Sequence, residues 1–319
     1  MLKIGLYGIN GHQIHQELVD HPLAELAAIA SFPREKLPDA LRDNDRIRKY
    51  ATLEELLADD SIDAVCLCSP RRADQTKDTI RALEAGKHVY AEKPCALNEA
   101  DINAIIDAAA RTGRVFHEMA GTAFGQPYYA IREIVRSGIL GEIVQIITEK
   151  SYPYYPDRAQ DEALDGGLIC QNGIHALRFI EHAAGTPIQS IQAVETGFGN
   201  PVANGGLQMA GSMIATLANG GVATVSCNYL NQPGSGVWGE ESLKILGTKG
   251  YVESSSGGQQ TRLVIGDQDL GPLDNEQASA DWLTIVFKNF LGLAEMPFSL
   301  AEELSPTRWA IRAKLSTEK

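Results

Sequence analysis

"MLKIGLYGINGHQIHQEL" (residues 1–18) joins a short apolar run to a glycine turn and then to a predicted helix over residues 12–20. A strand that meets a glycine turn and then a helix is how a dinucleotide-binding fold begins. The turn of that fold takes Gly-x-Gly-x-x-Gly, yet counted from Gly8 the other two positions hold Asn10 and Gln13. Gly8 suits the tight first position. Asn10 is the non-glycine residue most tolerant of positive φ, and Gly11 relieves crowding beside it. At a helix N-terminus, the backbone N–H groups of Ile9, Asn10, Gly11 and His12 would still face an anion. The plainer reading of this turn alone is a structural link from strand to helix.

Strands and helices alternate outward from this turn. Strands are predicted at 2–7, 25–31, 63–68, 87–92 and 114–119, with helices at 73–85 and 98–111 between the later ones. Apolar runs of this length between amphipathic helices indicate parallel strands covered on both faces, a doubly wound α/β sheet. After about residue 120 the pattern changes. A helix at 127–137 precedes strand-like segments at 142–151, 187–197, 207–217, 221–230, 242–247 and 261–266; helices return at 277–291 and 300–315. The expected organisation is a dinucleotide-binding Rossmann domain (1–120) and an α+β domain (121–319). The latter has a large open-faced, mostly antiparallel sheet. The helix at 300–315 is expected to pack back on the first domain. "SSSGGQQ" (254–260) reads as a turn or loop.

Composition limits the function classes. A chain of 319 residues can hold two domains, and 44% hydrophobic with 22% charged residues is ordinary for a globular protein. A net charge of −13 argues against nucleic acid or an anionic membrane as partner. No apolar run approaches the roughly 20 residues that cross a bilayer, and the N-terminus enters a strand without signal-peptide regions. Five cysteines in a long chain do not suggest a disulfide framework. A cytoplasmic location is the expectation.

Several residues carry chemistry. In "AIASFPREK" the tip of the second strand holds Ser31, with Arg34 and Lys36 close behind, where NAD enzymes present a carboxylate to the ribose. A hydroxyl and a guanidinium would welcome a 2′-phosphate, which favours NADP over NAD; the alternative is a solvated loop. "GKHVYAEKPCALN" (86–98) runs a strand into Glu92-Lys93-Pro94 at its carboxyl end. Proline restricts Lys93 to an extended backbone and is compatible with a cis bond. An ammonium there can polarise or protonate an oxygen that changes charge during hydride transfer. "DGGLICQNGIHALRFIEHAAG" (165–185) is read as placing His175 at a helix start, a position for an acid/base, with packing as the bland alternative. His12 and His15 lack a third ligand at metal-site spacing, so no metal is expected. Cys66 and Cys68 read as core. "SYPYYPDR" (151–158), Tyr152 included, either lines a substrate cleft or covers the sheet.

Together these stretches resemble the glucose-fructose oxidoreductase / inositol dehydrogenase / rhizopine-catabolism protein (Gfo/Idh/MocA) family. "IGLYGINGH", "SIDAVCLCSP", "LEAGKHVYAEKP", "IVRSGILGEI", "GGLICQNGIHAL" and "ILGTKGYVES" follow in the family's order. The resemblance implies a Rossmann domain, an open-faced sheet domain, and oxidation or reduction at a carbinol of a sugar, polyol or related molecule held between them. It matches Lys93 to the catalytic lysine, His175 to the substrate-proximal histidine, and Gly8, Ser69 and Pro70 to cofactor-side positions. Departures are Gln171 where the family has Asp, Arg178 where Asp is frequent, and Arg71 and Asp74 in "SPRRAD".

The reading is therefore an NAD(P)-dependent oxidoreductase, with Lys93 and His175 catalytic. Gly8, Ile9, Asn10, Gly11, Ser31, Arg34, Ser69, Pro70, Arg71, Glu92 and Lys93 would face the cofactor, and Gln171, His175 and Tyr152 the substrate. The expected partner is a sugar-like or polyol-like small molecule, and a homo-oligomer is expected to form through the open sheet face. Two other readings compete: a glycosidase-type hydrolase using transient redox, and a non-catalytic NADP-binding sensor.

Overall fold

A computed structural model describes residues 1–276 and 279–318. Two compact units emerge, one of Met1–Ala120, Ala163–Asp165 and Trp282–Leu304, the other of Gly121–Glu162, Gly166–Asp281 and the segment from Ser305 onward.

In the first unit, β1 (Leu2–Tyr7), β2 (Ala24–Ala30), β3 (Arg48–Tyr50), β4 (Ala64–Leu67), β5 (His88–Ala91) and β6 (Phe116–Glu118) form one sheet. Their order is β3-β2-β1-β4-β5-β6, and every pairing is parallel. All four residues of β4 are buried, as a strand covered on both faces requires. The helix Glu99–Thr112 begins where the Asn98 side chain accepts the Asp101 N–H and ends at Gly113, φ +64°. The chain order reverses on either side of β1, which opens a crevice at the carboxyl ends of β1 and β4.

The predicted helix at 12–20 does not form; residues 15–20 make only hydrogen-bonded turns. Its first residues bond elsewhere. The Gln13 amide donates to the carbonyls of Tyr7, Gly8 and Cys66, and its Oε1 accepts the Ile14 N–H. Such side-chain bonds compete with the helical ladder. Farther along, Trp282–Phe290 covers β6, with the Trp282 indole N–H donating to the Glu118 carbonyl at 3.3 Å. The expected start of this helix at 277–278 lies outside the described residues.

The second unit holds β7 (Ile143–Ser151), β8 (Ile188–Thr196), β9 (Ala210–Leu217), β10 (Val222–Asn228), β11 (Glu241–Gly247), β12 (Gly250–Ser255), β13 (Gln260–Ile265) and β14 (Gln268–Gly271). The sheet order is β14-β13-β12-β11-β7-β10-β9-β8, antiparallel except for β7 beside β10. β9 and β10 alternate buried and exposed residues, so one face is covered and the other open. β12 and β14 were not anticipated; "SSSGGQQ" spans the hairpin turn between β12 and β13.

The predicted helix at 300–315 is two helices. Leu300–Glu303 is capped by Ser299 and belongs to the first unit, whereas Ser305–Ser316 belongs to the second. Pro306 has no N–H to continue the first helix but fits the opening turn of the next. The long terminal helix thus belongs to the second unit and touches β8.

Candidate functional site

In the first unit the candidate residues lie at strand ends. Gly8 has φ +71°, and a Cβ there would lie 2.0 Å from the Cys68 carbonyl oxygen, so only glycine lets the turns after β1 and β4 touch. Gly11 has φ +124°, and its Cβ would lie 2.5 Å from the Glu92 side chain. Asn10 does not adopt the positive φ expected of it. Its side-chain amide instead donates to the carbonyls of Pro70 and Leu164.

The expectation that four N–H groups face an anion also needs correction. Asn10 N–H donates to the Cys68 carbonyl, Gly11 N–H to the Ile9 carbonyl, and His12 N–H to the Glu92 carboxylate. The anion in this turn is the protein's own. Glu92 is 1% exposed, also accepts the Lys93 N–H at 3.0 Å, and lies 3.1 Å from His12 Nδ1. Burial alone would raise its carboxyl. The His12 hydrogen bond and the charges of His12, Lys93 and Arg72 outweigh burial and hold it at about 2.

Lys93 is buried beside this carboxylate, and its peptide bond to Pro94 is cis. Ser69 is turned inward, its N–H donating to Gln75 Oε1 and its Oγ to Asp78. Arg72, which the sequence reading passed over, is 3% exposed and ties the two turns by donating to the Asn10 carbonyl at 2.6 Å and Gln75 at 2.7 Å. Pro70 and Arg71 are exposed, and the Arg71 guanidinium has no hydrogen-bond or ion-pair partner among the described residues.

At the tip of β2, Ser31 is exposed with φ +48°. Arg34 does not face outward as a phosphate ligand. Its guanidinium donates to the carbonyls of Arg42, Asn44 and Ile47, holding the loop before β3 closed. Lys36 is exposed and unpartnered among the described residues. His15 packs edge-on to Phe32 at 5.3 Å, and no metal-holding group of three or more His, Cys, Asp or Glu occurs among the described residues. These strand ends fit a dinucleotide in one respect, an Arg71 guanidinium unpaired among the described residues; the missing side chains at Gly8 and Gly11 make room for Cys68 and Glu92. A helix N-terminus does not contribute.

In the second unit, His175 stands mid-run in the helical segment 167–183, not at its start. Wide π turns at Ile169–Gly173 and Phe179–Ala183 flank the α turn Ile174–Arg178. The spacing of four puts Gln171 and His175 on one face, half-exposed, while Arg178 is fully buried. His175 Nδ1 lies 3.2 Å from Thr122 Oγ1. The Tyr229 hydroxyl donates to Gln171 Oε1 at 3.3 Å.

Sheet register assembles the surroundings. Ser151 at the end of β7 pairs with Asn228 at the end of β10, and Lys150 pairs with Glu241 at the start of β11. Tyr152, Tyr229 and Trp238 therefore meet at one end of the sheet. The Tyr152 ring is 6.3 Å from His175, 6.5 Å from Tyr229 and 4.9 Å from Trp238. The three expected substrate residues do come together. Arg158 joins them from the end of "SYPYYPDR"; Thr122, Tyr229 and Trp238 join them unforeseen, an aromatic in the glycine-rich loop "PGSGVWG" being the one available sign for these three.

A family profile described as "Oxidoreductase family, NAD-binding Rossmann fold" matches residues 2–119, and one described as "GFO/IDH/MocA C-terminal domain" matches residues 128–253. With the strand order and site above, these place the chain among NAD-binding Rossmann oxidoreductases. It belongs to the Gfo/Idh/MocA family.

Among its relatives, trans-1,2-dihydrobenzene-1,2-diol dehydrogenase of Sus scrofa is 26% identical over 72% of this chain and 65% of its own. Myo-inositol 2-dehydrogenase of Thermotoga maritima is 20% identical over 84% and 79%. An uncharacterized oxidoreductase of Rhizobium meliloti is 30% identical over 54% and 52%. The chain thus spans between half and two-thirds of the first curated relatives it matches. A solved WlbA dehydrogenase from Bordetella pertussis, in complex with NADH and UDP-GlcNAcA, superposes with a TM-score of 0.81 over 99% of this chain and 96% of that one. At 19% identity it shows the shared fold. No helix among the described residues is long and apolar enough to cross a membrane.

Proposed function

We propose that this chain oxidises or reduces a carbinol or carbonyl carbon of a sugar, polyol or related small molecule, with NADP preferred to NAD. The observation that supports this most is the intact Glu92-Lys93-Pro94 at the end of β5, a buried ammonium beside a carboxylate held ionised. When bound, the nicotinamide gives or takes the hydride. Lys93 stabilises negative charge on the substrate oxygen as its proton leaves, and His175 accepts that proton. Gln171 cannot exchange a proton and holds a hydroxyl by hydrogen bonding.

The Ile9 N–H, Pro70 and Arg71 hold the cofactor's phosphates at this turn, while the N–H groups of Gly8, Asn10, Gly11 and His12 stay on the protein's own acceptors. Ser31 and Lys36, with no carboxylate at the tip of β2, receive a 2′-phosphate; Arg34 keeps to its loop. On the open face of the second sheet, Val194 (70% exposed) and Ile214 (61%) are covered by a second copy of the chain.

A thermal-shift panel of NAD, NADP and candidate polyols, followed by turnover of reduced nicotinamide, tests the reading. NADPH should raise the melting temperature more than NADH, and at least one polyol or sugar should change the nicotinamide's redox state. Sugar release without net cofactor change would instead favour a hydrolase, and firm NADPH binding with no turnover a sensor.

A further inference from the structure

We infer that the substrate is an acidic carbohydrate, a sugar ring bearing a carboxylate or phosphate, with its ring laid on Trp238 and its anionic group held by Arg158. The inference rests on reading Gln171 and His175 as substrate-facing, and its test reads binding, so the two can fail separately.

Trp238 is 59% exposed but not loose. Its indole N–H donates to the Tyr155 hydroxyl at 2.6 Å, and its ring packs on Tyr152. The Asn231 amide donates to the carbonyls of Val237 and Trp238 at 2.8 Å each, which fixes the loop. A large aromatic surface left in water yet held in one orientation is a ready anchor, because little freedom remains to be lost on binding. The apolar face of a pyranose ring suits it.

Two cations lie on the Tyr152 ring, and they differ. Lys150 is neutralised by Glu241. Arg158 has no carboxylate partner among the described residues, in a chain with 41 acidic and 28 basic side chains. Its guanidinium lies 3.8 Å from the centre of the Tyr229 ring and donates once, to the Pro153 carbonyl. Four of its five N–H groups are uncommitted, and Tyr229 links it directly to Gln171. A planar guanidinium stacked on a ring beside a substrate-facing amide is built to take a carboxylate or phosphate.

The test titrates the full-length chain, saturated with NADPH, with glucose, glucuronate, glucose 6-phosphate and inorganic phosphate by calorimetry. At least one of the two acidic sugars should bind on the order of tenfold or more tighter than glucose, as a charge-assisted hydrogen bond allows; which one does so separates carboxylate from phosphate. Arg158→Gln should erase that margin, with Arg158→Lys retaining part of it. Trp238→Ala should weaken all the sugars and Trp238→Phe restore most of the loss, each variant first shown folded by circular dichroism. Glucose binding as tightly as both acids, inorganic phosphate binding as tightly as the tighter of the two acidic sugars, or a margin that survives Arg158→Gln would overturn the inference. Acid-selective binding without hydride transfer would support it and count against the redox reading instead.

Discussion

In the first unit every candidate residue sits on a loop that follows a parallel strand, whereas in the second they come from a helix face, two loops and the ends of three neighbouring strands. The first arrangement keeps chemistry local: Glu92 and Lys93 are adjacent, and the turn that Glu92 braces follows β1, with only β4 between that strand and β5. The second gathers Thr122, Tyr152, Arg158, Gln171, His175, Tyr229 and Trp238 across more than 110 residues of chain. A loop change in the first unit should therefore act on charge and stability at one point, and a change in the second on the fit of a ligand.

Four experiments break or sharpen this contrast. The largest effect is expected from Lys93→Met, which should lower single-turnover hydride transfer by on the order of 10²–10³ while keeping the fold. A wild-type rate in that variant would remove the first unit's claim to the chemistry. Next is the carboxylate inside the glycine turn. Because the folded Glu92 carboxyl is held at about 2, below its ordinary 4.5, it contributes stability above pH 4.5 that is lost as pH falls toward 2, worth about 3 kcal/mol. Urea unfolding at pH 7 and at acid pH should show the wild type losing that much more than Glu92→Gln; equal acid losses would mean that the carboxylate is not held by its neighbours.

His175→Ala should slow hydride transfer by roughly 10²-fold, with cofactor affinity measured by calorimetry unchanged. Should it alter NADPH affinity as well, the division of labour between the units would need redrawing. The smallest effect separates two cations of one loop. Lys36→Ala should narrow the preference for NADPH over NADH without changing the melting temperature. Arg34→Ala should do the reverse, lowering stability by about 1–3 kcal/mol through the loss of three hydrogen bonds that close the loop. If Arg34→Ala alone narrows the preference, its guanidinium serves the cofactor after all.

The sequence by itself determined the alternation of strand and helix, the glycine at position 8, the Glu-Lys-Pro at the end of β5 and the change to an antiparallel sheet. These are legible because period, turn chemistry and strand ends are properties of a few consecutive residues. Tertiary structure decided the rest. Residues 12–20 are no helix because the Gln13 amide bonds to three carbonyls, one of them 53 positions away on β4. The glycine turn is filled by Glu92, and Arg34 folds back onto its own loop; neither pairing leaves a local pattern. Tyr152, Tyr229 and Trp238 meet only because β7 lies between β10 and β11 in a particular register. Strand order in a sheet is set by packing of the whole unit, and no spacing along the chain encodes which strand ends become neighbours.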